Sequence, residues 1–323
     1  MLTTKEYKVL FMSYLQQHIS VREPLGLYVP VQYMLTLPAK RLRPVLTLLS
    51  ADIFGGGSKT ALPAALAVEL FHNFTLMHDD IMDNAPLRRG QPTVHRKWDL
   101  NTAILSGDVM LIMAEQCLET YPPETFAALS GVFHTTAVKV CEGQQYDMDF
   151  ETRSRVTLPE YLRMIEYKTA VLVAAAMKMG ALTANASPEQ AETIHNFGLH
   201  LGIAFQLKDD YLDTFGSPET FGKHIGGDII AGKKSFLYVK AMELLGKEEG
   251  KRLEQLYSGS KNPTKKIEGV KQLFLKSKAD VHARMEVEKY TESAFGFLEA
   301  LTVTAEAKTA LRDFATNLMD RAV

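Results

Sequence analysis

At 323 residues, 46% of them apolar, the chain has the material for a large buried core, and its length alone allows about two domains. A formal net charge of −2 offers no basic field for nucleic acid, and no apolar run is long enough for a membrane span. The opening MLTTKEYKVLFMSYLQ is too polar for a signal peptide, and Cys117 and Cys141 sit in apolar helical contexts without metal spacing, so reduced core thiols in a cytoplasmic protein are expected.

Most of the chain reads at helical period. PAKRLRP at 38–44 offers Lys40 and Arg43, about one helical turn apart, with Arg41 expected as a surface cation. Leu66, Leu70, Phe74, Met77 and Ile81 recur every three or four residues and make one apolar stripe. His72 lies on that helix, where a lone histidine is more often a satisfied core residue; His78 and His95 read as structural. The helix runs into Asp79, Asp80 and Asp83, and Arg88 and Arg89 follow almost at once. Thr157 with Glu160 and Ser187 with Gln190 fit capping boxes, with Pro188 at a first helical position. Lys168 lies in YKTA. Ile194, Phe197, Leu201 and Ala204 form a second stripe, which leads to FQLKDDYLDTFG at 205–216. Lys223 lies in FGKHIGGD and Lys233 in AGKKS, with Lys234 expected at the surface. SGSKNPTKK at 258–266 reads as an exposed break between helices. Strand patterns with Asn-Gly or Asp-Gly turns are scarce and no repeat is present, so an all-α, single-domain chain over 1–323 is expected.

The two acidic clusters, Asp79/Asp80/Asp83 and Asp209/Asp210/Asp213, share the spacing D-D-x-x-D. On a helix, residues i and i+4 share a face, so Asp79 pairs with Asp83 and Asp209 with Asp213. Carboxylates so placed repel each other unless a cation sits between them, and oxygen-only ligands suit Mg²⁺ shared with a phosphorylated substrate. Arginine forks bind phosphate oxygens bidentately and lysine acts as a point charge. The acidic and basic sets together describe a site for two polyanions, one bridged through Mg²⁺ and one held by cations alone.

KRLRP, HNFTLMHDDIMDNAPLRRGQPTVH, AILSGDVML, EGQQYDMD, YKTA, FQLKDDYLDTFG, GKHIGGD and GKKS come in order over roughly residues 38–240, and the chain so resembles the trans-isoprenyl diphosphate synthases, the polyprenyl synthetase family. That resemblance implies an isoprenoid-synthase fold, a bundle of antiparallel helices around a deep central cavity, usually as a homodimer. It implies head-to-tail condensation of isopentenyl diphosphate with dimethylallyl, geranyl or farnesyl diphosphate, assisted by three Mg²⁺, with the last proton lost to released diphosphate. The six aspartates match the metal motifs, with Asp79, Asp83 and Asp209 ranked closest to the ions. Lys40, Arg43, His72 and Arg89 match the isopentenyl diphosphate pocket, and Arg88, Lys168, Lys223 and Lys233 match contacts to the allylic diphosphate. Thr169 and Gln206 match polar groups near the reacting carbon, and Gln144 (or its neighbour Gln145) with Asp147 a polar pair bordering the metals. Two departures stand out: Pro38 and Ala39 replace a common glycine pair, and the ending MDRAV, with only Arg321, gives no basic lid to expect.

In this family the residues before the first acidic motif floor the tail cavity. Phe74, five residues before Asp79, lies about 7.5 Å down the helix axis; Phe71, eight before, lies about 12 Å down. With the small Thr75 four before, a product of 15 to 20 carbons is expected, farnesyl or geranylgeranyl diphosphate, leaning to the longer. A longer-chain synthase and a catalytically silent regulatory subunit are the alternatives. A terpene cyclase would need no second diphosphate pocket, against Lys40, Arg43 and Arg89.

Overall fold

The computed structural model describes residues 1–217, 225–259 and 262–320, so Lys223 and Arg321 lie outside the described residues. In chain order the elements are α1 (Thr4–His18), α2 (Leu25–Thr36), α3 (Leu42–Ile53), a 3-10 turn (Ser58–Ala61), α4 (Leu62–Met82), strands β1 (Leu87–Arg88) and β2 (Gln91–Pro92), α5 (Val94–Lys97), α6 (Leu100–Leu118), α7 (Pro123–Thr152), α8 (Leu158–Ile165), a π-helical turn (Glu166–Ala170), α9 (Val171–Thr183) and α10 (Pro188–Phe215). They continue with α11 (Gly227–Ala231), α12 (Phe236–Leu244), α13 (Lys247–Gly259), α14 (Pro263–Lys276), α15 (Ala279–Ala300) and α16 (Ala305–Asp320). The chain is all-α, and the break expected at 258–266 falls between α13 and α14. Among the described residues no helix is long and apolar enough to cross a membrane.

Local signals set these boundaries. Thr157 and Glu160 form a complete capping box at α8. Ser187 accepts the Gln190 N–H at 3.2 Å, but the Gln190 side chain accepts from the Thr302 N–H at 2.7 Å, so the expected second box is half made. Asp99 caps α6 by accepting from the Thr102 N–H. Helix α4 ends on a left-handed Asn84 (φ 51°), with the Ala85 N–H bonded to Asp80 O and the Asn84 N–H to Ile81 O. These two bonds satisfy carbonyls that the helix end would otherwise leave open.

The chain forms two compact units. The first comprises 1–136, 172–195 and 301–307. Here α4 packs along α6, and Leu66, Leu70, Phe74 and Met77 are buried as their spacing requires. The second comprises 137–171, 196–300 and 308–323. Its core gathers Tyr161, Ile165, Leu207, Phe236, Leu253, Val270 and Phe274. Four sequence expectations need correction. Arg41 is buried rather than at the surface, because Glu69 and two carbonyls receive its guanidinium. Lys40 precedes α3 instead of lying on it. Cys141 is exposed on α7, although Cys117 is half-buried with its thiol pushed up to about 12 by burial. Lys234 is partly buried, with its Nζ donating to Phe150 O and Glu151 O.

Candidate active site

In the first unit, the last turn of α4 carries the first acidic motif. Asp79, Asp80 and Asp83 therefore add negative charge where the helix dipole is already negative, an arrangement that favours a nearby cation. The chain supplies one itself. Arg88 Nε lies 2.8 Å from both Asp80 oxygens, its Nη2 2.7 Å from Asp80 Oδ1, and Asp79 Oδ2 is 3.6 Å from that same Nη2. Asp80 is thereby buried and tied to the protein, whereas the Asp79 side chain keeps a fifth of its surface and Asp83 is exposed.

The hairpin that delivers Arg88 turns on Arg89 (φ 54°) and Gly90 (φ 76°). Two successive positive φ angles make the tight hairpin turn whose twist matches its strands, and glycine takes the second position without strain. Arg89 thereby joins a basic pocket of about 620 Å³, lined by Lys8, Lys40, Arg41, Arg43, Glu69 and His72 with Pro38, Ala39 and Leu42. Arg43 Nη1 lies 3.1 Å from His72 Nε2. Arginine can only donate, so His72 accepts at Nε2 and carries its hydrogen on Nδ1. Burial and the charges of Arg43, Arg89, Arg88 and Arg41 hold His72 well below its usual value, as a neutral acceptor. Burial pushes Arg43 down to about 10, with Glu69 opposing and Arg89 reinforcing, and Arg43 Nε is buried without a hydrogen-bond acceptor. An anion entering this pocket would supply that acceptor and relieve the cation surplus.

Further down α4, Phe74 is 9% exposed and Phe71 only 1%. Phe71 packs on Phe74 and edge-on against Phe133, with centroids 5.7 and 5.3 Å away. Phe74 packs edge-on to His78, and the Thr75 hydroxyl donates back to His72 O.

The second unit builds its cluster on the π-helical turn, a local widening that recurs at functional sites. Lys168 Nζ lies 2.5 Å from Asp147 Oδ2. The pairing depends on Gly143 of α7: a Cβ there would lie 2.2 Å from Lys168 N, so any side chain would push the turn away. Gln144 is half-buried on this helix, while Gln145 is exposed and donates to Asp149, which separates the two glutamines. Thr169 Oγ1 donates to Gln206 Oε1 at 3.2 Å, and Gln206 Nε2 donates to Asp210 Oδ1 at 3.0 Å. Asp210 also accepts from the Tyr161 hydroxyl (2.5 Å) and the Phe236 N–H (3.0 Å). Burial and Asp210 hold the Tyr161 phenol protonated, so it stays a donor. Burial raises Asp210 to about 6 against these donors. Asp213 accepts from the Asp228 N–H at 3.0 Å. Asp228 is pushed to about 7 by burial and by Asp210 and Asp213, against the pull of Lys233, which follows α11.

The donor set is oxygen-rich, yet among the described residues no three carboxylate, imidazole or thiolate groups converge on a ready-made cation cage. Carboxylate oxygens suit Mg²⁺, which dehydrates reluctantly and takes one or two carboxylates plus substrate phosphates. The raised Asp228 and Asp210 mark a carboxylate surplus that a cation would relieve. Lys8, Glu69, Tyr161 and Asp228 were not singled out in the sequence. Glu69 left a trace there as a charge within the apolar run LAVELF, and Asp228 as the last residue of GKHIGGD.

The Polyprenyl synthetase family model matches residues 25–274. Geranylgeranyl diphosphate synthase of Methanosarcina mazei is 45% identical over 227 residues, 70% of each chain. A crystal structure of a geranylgeranyl pyrophosphate synthase superposes with a TM-score of 0.95 at 48% identity, over 100% of both chains. The geranylgeranyl pyrophosphate synthase of Corynebacterium glutamicum, solved with isoprenyl diphosphate and magnesium, is 25% identical with a TM-score of 0.85, over 98% of this chain and 97% of that one. The chain belongs to the polyprenyl synthetase family of trans-prenyltransferases.

Proposed function

We propose that the protein condenses isopentenyl diphosphate head-to-tail with allylic prenyl diphosphates to give geranylgeranyl diphosphate. The allylic C1–O bond breaks and diphosphate leaves. The isopentenyl double bond then forms the new C–C bond at C1, and the proton lost from isopentenyl C2 passes to the released diphosphate. The observation that carries this reading is the cation-lined pocket with an unsatisfied Arg43 Nε, in a chain that also holds two D-D-x-x-D motifs.

Lys40, Arg43 and Arg89 bind the isopentenyl diphosphate, with neutral His72 orienting Arg43. Asp79, Asp83 and Asp209 would hold Mg²⁺ with the allylic diphosphate, and the ions would supply Lewis-acid stabilisation of the leaving charge. Asp80, Asp210 and Asp213, which matched the metal motifs by spacing, serve the fold around those ions through Arg88, Gln206 and the Asp228 N–H. Arg88, Lys168 and Lys233, with Lys223, balance the allylic diphosphate, and Gln144 and Asp147 border it. Gln206 turns its carbonyl oxygen away from Asp210, so that this oxygen and the Thr169 hydroxyl present negative dipoles to the allylic cation. We place the enzyme in the cytoplasm as a homodimer. The apolar residues Leu105 and Ile112, both more than half exposed on α6, support the dimer.

Incubation with Mg²⁺, isopentenyl diphosphate and each allylic starter, followed by mass analysis, should yield the twenty-carbon diphosphate. Recovery of unchanged starters would refute the reading. Phe74→Ala should lengthen the products; an unchanged distribution would put the floor of the tail cavity elsewhere.

A further inference from the structure

We propose that Arg41, held by Glu69 (which Asn73 braces), is a positioning residue that fixes the diphosphate-binding geometry of the basic pocket without contacting the ligand. The inference rests on the pocket being the isopentenyl diphosphate site. The segment 37–41 links α2 to α3 and alternates in exposure: Lys40 points to water, while Arg41 is 4% exposed. The Arg41 guanidinium is spent inward. Nη1 donates to Glu69 Oε1, and Nη2 donates to Leu35 O and, at 3.2 Å, to Leu37 O. Leu35 lies in the last turn of α2 and Leu37 caps it, so one side chain ties α2, the start of α3 and α4 together.

Glu69 is itself held. Asn73 Nδ2 donates to Glu69 Oε1 at 3.0 Å and to its carbonyl at 2.8 Å, with both residues on one face of α4. His72 stands beside Asn73 on that helix and receives Arg43. Arg41 also takes a left-handed backbone (φ 57°), a conformation that a non-glycine residue keeps only where its surroundings over-determine it. A cation meant for the ligand would keep its donors free and its head in the pocket. This one spends them on the frame from which Lys40 and Arg43 project. A second clasp holds the same segment from outside, where Lys8 Nζ of α1 donates to Ala39 O at 2.7 Å. It grips the stretch in which Pro38 and Ala39 stand.

Glu69 offsets much of the Arg41 charge, so most of the pocket's field comes from Lys8, Lys40, Arg43 and Arg89, while Arg41 and Glu69 set their spacing. Lysine cannot replace Arg41, because a single ammonium lacks the planar fork that reaches three fixed acceptors. The test is steady-state kinetics of R41K, E69Q, N73S and K8M with each substrate varied in turn, together with titration of inorganic diphosphate. R41K and E69Q should raise the KM for isopentenyl diphosphate about tenfold or more, leaving the KM for farnesyl diphosphate within about twofold. The double variant should be no worse than either single one, because the two act as a unit. K8M, which also removes a pocket charge, should raise the same KM about threefold; N73S, which changes no charge and only loosens Glu69, should raise it too and carries the test should R41K or E69Q fail to fold. Equal changes in both KM values, or an isopentenyl KM that stays put while thermal stability falls, would reduce Arg41 to a packing residue and overturn the proposal. Failure of the unaltered enzyme to condense the substrates would instead overturn the proposed function.

Discussion

The two acidic motifs share a spacing but not a surrounding. Around the first, cations are in excess: Arg88 clamps Asp80, and burial, reinforced by the charges of Arg43, Arg89 and Arg88, holds His72 neutral. Around the second, carboxylates are in excess: neutral donors from Tyr161, Gln206 and Phe236 satisfy Asp210, and Asp228 is pushed to about 7. The same residue pattern is thus stabilised by opposite means. In both motifs the middle aspartate is buried and bonded to the protein, and in the second the last aspartate also accepts from a backbone N–H.

The largest effect should separate outer from middle positions. Asp209→Asn should cut kcat by roughly 10²–10³-fold with little change in melting temperature, as expected for a lost charge-stabilising group. Asp210→Asn should also cost about 1–3 kcal/mol of stability, because it unsettles buried donors. Equal thermal effects for the two variants would erase the distinction. Next, Arg88→Met leaves Asp80 buried without its cation. Thermal unfolding should register a loss of about 3–5 kcal/mol, toward the lower end because Arg88 is one-fifth exposed. Unchanged stability would show that the first motif needs no internal counter-charge. Gly143→Ala sets a methyl against the Lys168 backbone and should cost about 1–3 kcal/mol by overpacking. It should also weaken the allylic substrate's KM more than that of isopentenyl diphosphate; equal shifts would detach Lys168 from the allylic site.

The smallest effect is a pH slope. His72 has its folded value below the unfolded one, so the unfolded chain binds the extra proton as pH falls below about 6.5. Its contribution to stability is therefore complete above that pH and is lost on acidification. The slope is at most about 1.4 kcal/mol per pH unit, and less for a ring partly in water. Melting temperatures between pH 7 and 5 should fall faster for the unaltered protein than for His72→Asn. Parallel curves would mean that burial and the neighbouring cations do not hold His72 neutral in the folded protein.

The helices and the site's raw materials were legible because each has a local cause. The stripe on α4 follows helical period, and the aspartates and arginines announce themselves by charge. What stayed hidden depends on partners distant in sequence. Arg41 reads as a surface cation until Glu69, 28 residues on, is seen to bury it. Glu69 in turn reads as an oddity in an apolar helix. Asp80 and Asp79 are indistinguishable by spacing, and only the hairpin, turned on Arg-Gly rather than Asn-Gly, assigns Arg88 to Asp80. Gln144 and Gln145 are separated only by their burial on α7.

The central claim, a proposal, is that Asp79, Asp83 and Asp209 hold Mg²⁺ on the allylic diphosphate. A crystal structure with Mg²⁺ and the unreactive thio analogue of farnesyl diphosphate tests it most directly. Metal bonded to Asp79, Asp83 and Asp209, with Asp80 still on Arg88 and Asp210 still on Tyr161, is the predicted result. Ions bound through Asp80 and Asp210, or a diphosphate seated with no aspartate-bound metal, would contradict it.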